Sequence, residues 1–305
     1  GAVLVRVATS LIRVGSFQYS NISADIELSQ HLANYAITRH FPSLVAELSA
    51  PTPATYVSLF KAILQRQADT VGKWTRLGFV HGALNTDNTL ISGETVDYGP
   101  CAFMERYRGD AKFSSIDTYG RYKFENQPMI LGWNMARLVE TLLPLLGATP
   151  DEGMTAAQEA LGEFDDLCEQ AIRKEFATAL GLDESDTGTV EQFRELLYLH
   201  NPDITTLLRA LTDNTAPPSG FEAFVHDWKT QDPDIEAMRA VNPLFIPRNH
   251  LVEAALADAV EGNLEKFHEL LAAVTNPFDP TAGPDELRLP SAKGFEEDYM
   301  TFCGT

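Results

Sequence analysis

His81-Gly-Ala-Leu-Asn-Thr-Asp-Asn88, a short turn-forming run Leu90-Ile-Ser-Gly-Glu-Thr-Val96, and Asp97-Tyr-Gly99 are the stretch on which the reading of this chain rests. Taken singly, Asn85, Asp87, Asn88 and Asp97 are residues that tight turns favour, because short polar side chains bond their own backbone. Their joint order says more. An Asn amide oxygen and an Asp carboxylate, separated by a hairpin that turns the chain back, offer two hard oxygen ligands to a divalent cation. Asp87, next to Asn88, adds a carboxylate that can serve as a base or cap a turn.

The same order of parts builds the phosphoryl-transfer core of protein kinases. There a His-Arg-Asp loop supplies the base, an Asn five residues later holds a metal, and a later Asp-Phe-Gly supplies the second metal ligand. On that template Asn88 and Asp97 fall on the metal positions, and the base position is Ala83. Alanine takes no proton from a hydroxyl. The chain is therefore either a dead kinase or an enzyme in which another group, Asp87 being nearest, does different work on a nucleotide. His81 reads as a structural residue that holds the loop.

The net charge of −20 disfavours nucleic acid and anionic membranes as partners, since phosphate attracts Lys and Arg. Any bound nucleotide then needs locally placed cations. Arg6 and Arg13 flank the first apolar run, and two guanidiniums brought together by a turn can cradle phosphate oxygens. Surface arginines more often do nothing specific, so both readings stand at this point. Cys101, Cys168 and Cys303 have neither metal spacing nor an even disulfide framework, which suits a reducing compartment. His31, His40, His200, His226, His250 and His268 show no paired ligand spacing. Walker A, Gly-x-Ser-x-Gly, His-Glu-x-x-His and Gly-x-Gly-x-x-Gly patterns are missing, so P-loop, hydrolase, metalloprotease and Rossmann readings have no support. No apolar run approaches the roughly 20 residues of a membrane span. Gly1 opens inside an apolar run without Met or a signal-peptide pattern, and the expectation is a chain whose true beginning lies upstream.

Ala2 to Ala8 has the β-branched density of a strand, and Phe17 to Tyr19 suggests another. Apolar periodicity predicts helices over Ile26–Arg39 and Ala54–Leu77, then a buried helix over Pro128–Leu146. The Gly-, Ser-, Asp- and Arg-rich run up to about Tyr122 stands where a kinase keeps its activation segment. Gly147 to Gly153 marks a boundary. Amphipathic helices follow, roughly Thr155–Leu180, Val190–Leu199, Ile204–Leu211, Gly220–Lys229, His250–Val260 and Leu264–Val274. The expected fold is α+β and mostly helical, a protein-kinase-like C-lobe over residues 1–147 with a helical C-terminal extension over 148–305.

With these residues in view, the chain resembles the selenoprotein O family, pseudokinase-fold enzymes that transfer AMP from ATP to protein hydroxyls. The matching segments include Ile12-Arg-Val-Gly-Ser-Phe17, the Asn85-Thr-Asp-Asn88 motif, Val96-Asp-Tyr-Gly-Pro100, Asn126-Gln-Pro128, Trp133-Asn134 and Pro247-Arg-Asn249. The resemblance implies Asp87 as catalytic base, Asn88 and Asp97 as ligands of Mg2+ or Mn2+, and Arg6, Arg13 and Asp97 as ATP contacts. It also implies a flipped ATP whose α-phosphate faces the acceptor. Family members carry an N-terminal lobe that clamps the nucleotide, and the expectation is that the sequence from Gly1 onward lacks it. Many end in a redox-active Cys or selenocysteine, which Cys303-Gly-Thr305 matches; Phe113-Ser-Ser115 lacks the partner cysteine of the activation-like loop, leaving Cys101 as the alternative.

The expected function is thus a protein adenylyltransferase acting on Ser, Thr or Tyr hydroxyls of protein substrates with ATP and Mg2+ or Mn2+, without nucleic-acid or membrane partners. The rivals are a small-molecule kinase of the aminoglycoside-phosphotransferase type, whose loop also begins His-Gly, and a non-catalytic pseudokinase scaffold. Ala83 argues against the first, and the retained Asn88 and Asp97 against the second. The expected compartment is the cytoplasm, or the mitochondrion for a eukaryotic source.

Overall fold

The computed structural model describes residues 5–22 and 26–302. It is mostly helical, and tertiary contacts divide the chain into two compact units. The first holds residues 1–71, 83–98 and 126–171, and the second residues 72–82, 99–125 and 172–305. No described helix is long and apolar enough to cross a membrane.

In the first unit, α1 (Val14–Ile22) packs on α2 (Ile26–His40) and α4 (Gln127–Leu142). Ser16 Oγ accepts the Arg13 N–H at 3.1 Å and so caps the start of α1. Val14 and Phe17, one turn apart, are fully buried; enclosing an aromatic of this size is worth about 1.5–3 kcal/mol. That burial explains why the strand expected over Phe17–Tyr19 is a helix: the buried positions Val14, Phe17 and Ser20 recur every three residues, not every two. α3 (Pro53–Leu77) carries the chain out of this unit. The helix expected over Pro128–Leu146 stops at Leu142 and tightens into a 3-10 turn over Leu143–Leu145, because Pro144 has no N–H to continue it. The helix expected over Thr155–Leu180 is two helices, α5 (Pro150–Gly162) and α6 (Phe164–Ala179). α5 starts inside the expected boundary, on a capping box in which the Thr149 and Glu152 side chains bond each other's backbone N–H.

The strand expected over Ala2–Ala8 is not formed in its described part, residues 5–8. The segment finds no ladder partner and is held by side chains instead. Thr9 donates through its N–H and its hydroxyl to Glu94, and Arg39 donates to the Thr9 carbonyl. His40 Nε2 lies 2.6 Å from Ser10 Oγ.

The second unit holds a two-stranded antiparallel sheet, β1 (Phe79–Val80) with β2 (Ala102–Phe103), in the register Phe79↔Phe103 and Val80↔Ala102. Its helices are α7 (Thr187–His200), α8 (Ile204–Thr212), α9 (Glu222–Lys229), α10 (Ile235–Val241), α11 (Asn249–Val260), α12 (Glu265–Thr275) and the short α13 (Phe295–Asp298). Five of these follow the amphipathic pattern; α10 and the 3-10 turn over Pro42–Ser49 in the first unit do not appear in the periodicity. Arg248 is buried and bonds Asp203 at 2.7 Å and Glu105 at 3.2 Å. Removing either carboxylate would weaken the pairing of a buried cation. His81 packs with Trp74 and Phe79, in keeping with a structural role.

Burial, then the guanidiniums of Arg66 and Arg39, hold the His40 pKa below its ordinary value, against an opposing pull from Glu94. His40 thus protonates at a lower pH in the fold than in the unfolded chain, which protonates it near pH 6.5, so its contribution to stability is present above that pH and lost as pH falls. Between about pH 7 and pH 5, wild type should lose stability more steeply than His40→Gln in denaturant unfolding. Parallel profiles would show that His40 carries no such linkage.

Candidate active site

The loop that carries the motif is closed by Asn85. Its Oδ1 accepts the N–H groups of Asp87 at 2.9 Å and Asn88 at 3.0 Å, which fixes the single 3-10 turn Thr86–Asn88. Thr89 Oγ1 returns a bond to the Asn85 carbonyl at 2.9 Å. Asn134, on α4 and fully buried, donates through Nδ2 to the Leu84 carbonyl at 3.2 Å and to Thr89 Oγ1 at 2.8 Å. The loop backbone is therefore set from within and from below.

Asn88 spends its amide nitrogen twice, on the Ala83 carbonyl at 2.8 Å and on Asp97 Oδ2 at 3.0 Å. That leaves Oδ1 as the atom available to a ligand. The turn between them is real: Thr89 and Thr95 form an antiparallel bridge, and Gly93 takes φ +79° against the backbone of Arg66, where a Cβ would meet atoms at 3.0 Å. Asp97 itself has φ 64°, a left-handed conformation that few non-glycine residues adopt and that Asp and Asn tolerate best. Such outliers cluster at functional sites. Its Oδ1 accepts a hydrogen bond from Arg6 at 2.9 Å.

Arg13 pairs with Leu90 in a bridge, and the Val14 N–H donates to the Thr89 carbonyl at 3.0 Å, so the start of α1 is stitched to the motif loop. Beside Asp87 opens a cavity of about 450 Å³ lined by Arg13, Gly15, Ser16, Tyr19, Leu28 and Asp87, among others. Arg13 Nε is buried without a hydrogen-bond partner. A buried, unpaired guanidinium nitrogen is costly unless something anionic completes it.

Asn88 Oδ1 and the Asp97 carboxylate suit a hard cation. Among the described residues no group of three or more His, Cys, Asp or Glu could hold a metal alone. A two-ligand protein site fits Mg2+, which keeps several waters and completes its shell with substrate phosphates.

A sequence profile described as protein adenylyltransferase SelO matches residues 1–224. The chain belongs to the SelO family. It is 98% identical over its whole length to a protein of Corynebacterium glutamicum (strain ATCC 13032) named protein nucleotidyltransferase YdiU, of which it covers 64%. Proteins of the same name from Corynebacterium efficiens and Mycobacterium sp. (strain KMS) are 56% and 45% identical, with 63% and 65% of their lengths covered. The chain thus spans a little under two thirds of the curated relatives it matches.

Of the residues singled out in the sequence, Arg6, Asn88 and Asp97 are joined by hydrogen bonds, and Asp87 and Arg13 line one cavity. Cys303 lies outside the described residues, and Cys101 forms no disulfide with a described residue. Sequence reasoning did not single out Asn134, Glu94, Arg39 or Gly15. Asn134 and Gly15 carried a signal only through their places in the Trp133-Asn134 and Ile12–Phe17 segments.

Asp97→Asn keeps a residue suited to φ 64° but removes the charge. The fold should survive, with an unfolding midpoint close to wild type, while Mn2+ affinity falls by at least about tenfold, the loss expected when a site with few protein ligands loses its carboxylate. Calorimetric titration of the chain reads this directly, and an unchanged affinity would place the metal elsewhere.

Proposed function

We propose that the protein of which this chain is part transfers AMP from ATP to Ser, Thr or Tyr hydroxyls of other proteins, using Mg2+ or Mn2+. The observation that carries the reading is the pairing of Asn88 with Asp97 in a loop whose kinase-base position is Ala83, with Asp87 exposed beside a cavity that Arg13 also lines. The family's description and the relatives' name, protein nucleotidyltransferase, support transfer of a nucleotidyl group over transfer of a phosphoryl group.

In this reading Arg6 and Arg13 hold phosphate oxygens, and Asn88 and Asp97 hold the cation. Bound there, the cation would neutralise phosphate charge and stabilise the charge that builds up on transfer. Asp87 accepts the proton of the acceptor hydroxyl. The hydroxyl oxygen forms a bond to the α-phosphorus, the bond to the bridging oxygen breaks, and pyrophosphate leaves. ATP lies flipped relative to a kinase, which explains why a base at position 83 is dispensable. The kinase-like C-lobe architecture belongs to the same proposal, as do the cytoplasmic location and the absence of nucleic-acid and membrane partners. The small-molecule kinase remains the weaker reading, because Ala83 leaves it without its base.

The test uses a full-length protein made by joining the chain to the part of the C. glutamicum relative that it does not cover. Protein should become labelled from α-labelled ATP and not from γ-labelled ATP, and intact mass should rise by one AMP. A gain the size of one phosphate would contradict the proposal.

A further inference from the structure

We propose that Gly15 is a positioning residue for Asp87: by carrying no side chain at the start of α1, it makes the space in which the Asp87 carboxylate rests facing the cavity. The inference rests on the role given to Asp87 above. A Cβ built on Gly15 would stand 2.0 Å from Asp87 Oδ1, 3.2 Å from its carboxyl carbon and 3.7 Å from its Cα. The backbone of Gly15 does not ask for glycine, since its φ lies outside the left-handed range where glycine is favoured. Helix propensity disfavours glycine here. The space is the remaining reason, and the carboxylate fills it.

Neither backbone can yield to make room. Asn85 fixes the Asp87 N–H. The start of α1 is tied to the same loop by the Val14 N–H on Thr89 and the Ile91 N–H on the Ile12 carbonyl at 3.1 Å. A methyl group at position 15 must therefore turn the Asp87 side chain away, while Asn88, Asp97 and Arg6 lie outside its reach. Glycine at this point trades helix stability for a base held in place, and the two effects of Gly15→Ala have opposite signs.

The experiment uses the full-length joined protein and compares Gly15→Ala, Asp87→Ala and the double variant. Gly15→Ala should lower kcat about 100-fold, the scale of loss from a small misplacement of a reacting group, with KM for ATP within about twofold, because no nucleotide contact changes. Its unfolding midpoint should be equal to wild type or higher, and Mn2+ affinity of the chain unchanged. In the double variant Gly15→Ala should add no loss to Asp87→Ala, since the group it displaces is gone. A retained kcat, or a loss that adds fully to that of Asp87→Ala, would overturn the inference. A lowered midpoint with lost Mn2+ binding would also overturn it, by showing that α1 itself has moved. Full activity in Asp87→Ala would instead remove the base from the proposed reaction, a failure of that reading visible before Gly15 is considered.

Discussion

The side chain of Asn88 joins the two halves of the site. One amide nitrogen bonds the carbonyl of Ala83 and the carboxylate of Asp97, so it fixes the loop, brings the far end of the hairpin back and leaves its own oxygen facing outward. Everything near it serves that arrangement. Asn85 shapes the turn that presents Asn88, Asn134 supports the loop from α4, and Gly93 lets the hairpin close against Arg66. Asp97 accepts an uncommon backbone conformation to meet Asn88.

Charge decides how such a site can work in a chain of net charge −20. The cations must be local, and they are: Arg6 on Asp97 and Arg13 in the cavity beside Asp87. The Arg6–Asp97 pair is partly solvated, with 47% and 24% of the side chains exposed. A pair of that kind is worth about 0–1 kcal/mol. On the proposed reading it is weak enough to be given up when a divalent cation and phosphate compete for its two ends. The segment between the two arginines is held at Thr9 and Ser10 by Glu94, Arg39 and His40 and at Ile12 and Arg13 by backbone pairing with Ile91 and Leu90, so the Arg6 end depends on side chains, two of which, Glu94 and His40, titrate.

What the sequence disclosed follows from the range of the interactions involved. The pairing of Asn88 with Asp97 across a hairpin was legible because both residues lie on one short stretch, a local pattern. The amphipathic helices α7, α8, α9, α11 and α12 were legible for the same reason, as 3.6-residue periodicity needs no knowledge of neighbours. The strand expected over Ala2–Ala8 came from β-branched density, which shows suitability for a ladder but not the presence of a partner. Phe17–Tyr19 was too short for its period to be read apart from Val14 and Ser20. Gly15 was quoted within a matching segment, yet its relation to Asp87 arises only when α1 is stitched to the motif loop, a contact between distant parts of the chain. The redox reading of Cys303 falls outside the described residues.

The central claim is that Asn88 Oδ1 and Asp97 form the cation site and that Arg6 stands in for the cation until it arrives. Anomalous diffraction from crystals of the full-length joined protein grown with Mn2+ and a non-hydrolysable ATP analogue tests it most directly. The account predicts a manganese peak about 2.0–2.3 Å from Asn88 Oδ1 and an Asp97 oxygen, with Arg6 moved from Asp97 to a phosphate oxygen. A peak bound elsewhere, with the Arg6–Asp97 bond intact, would contradict it.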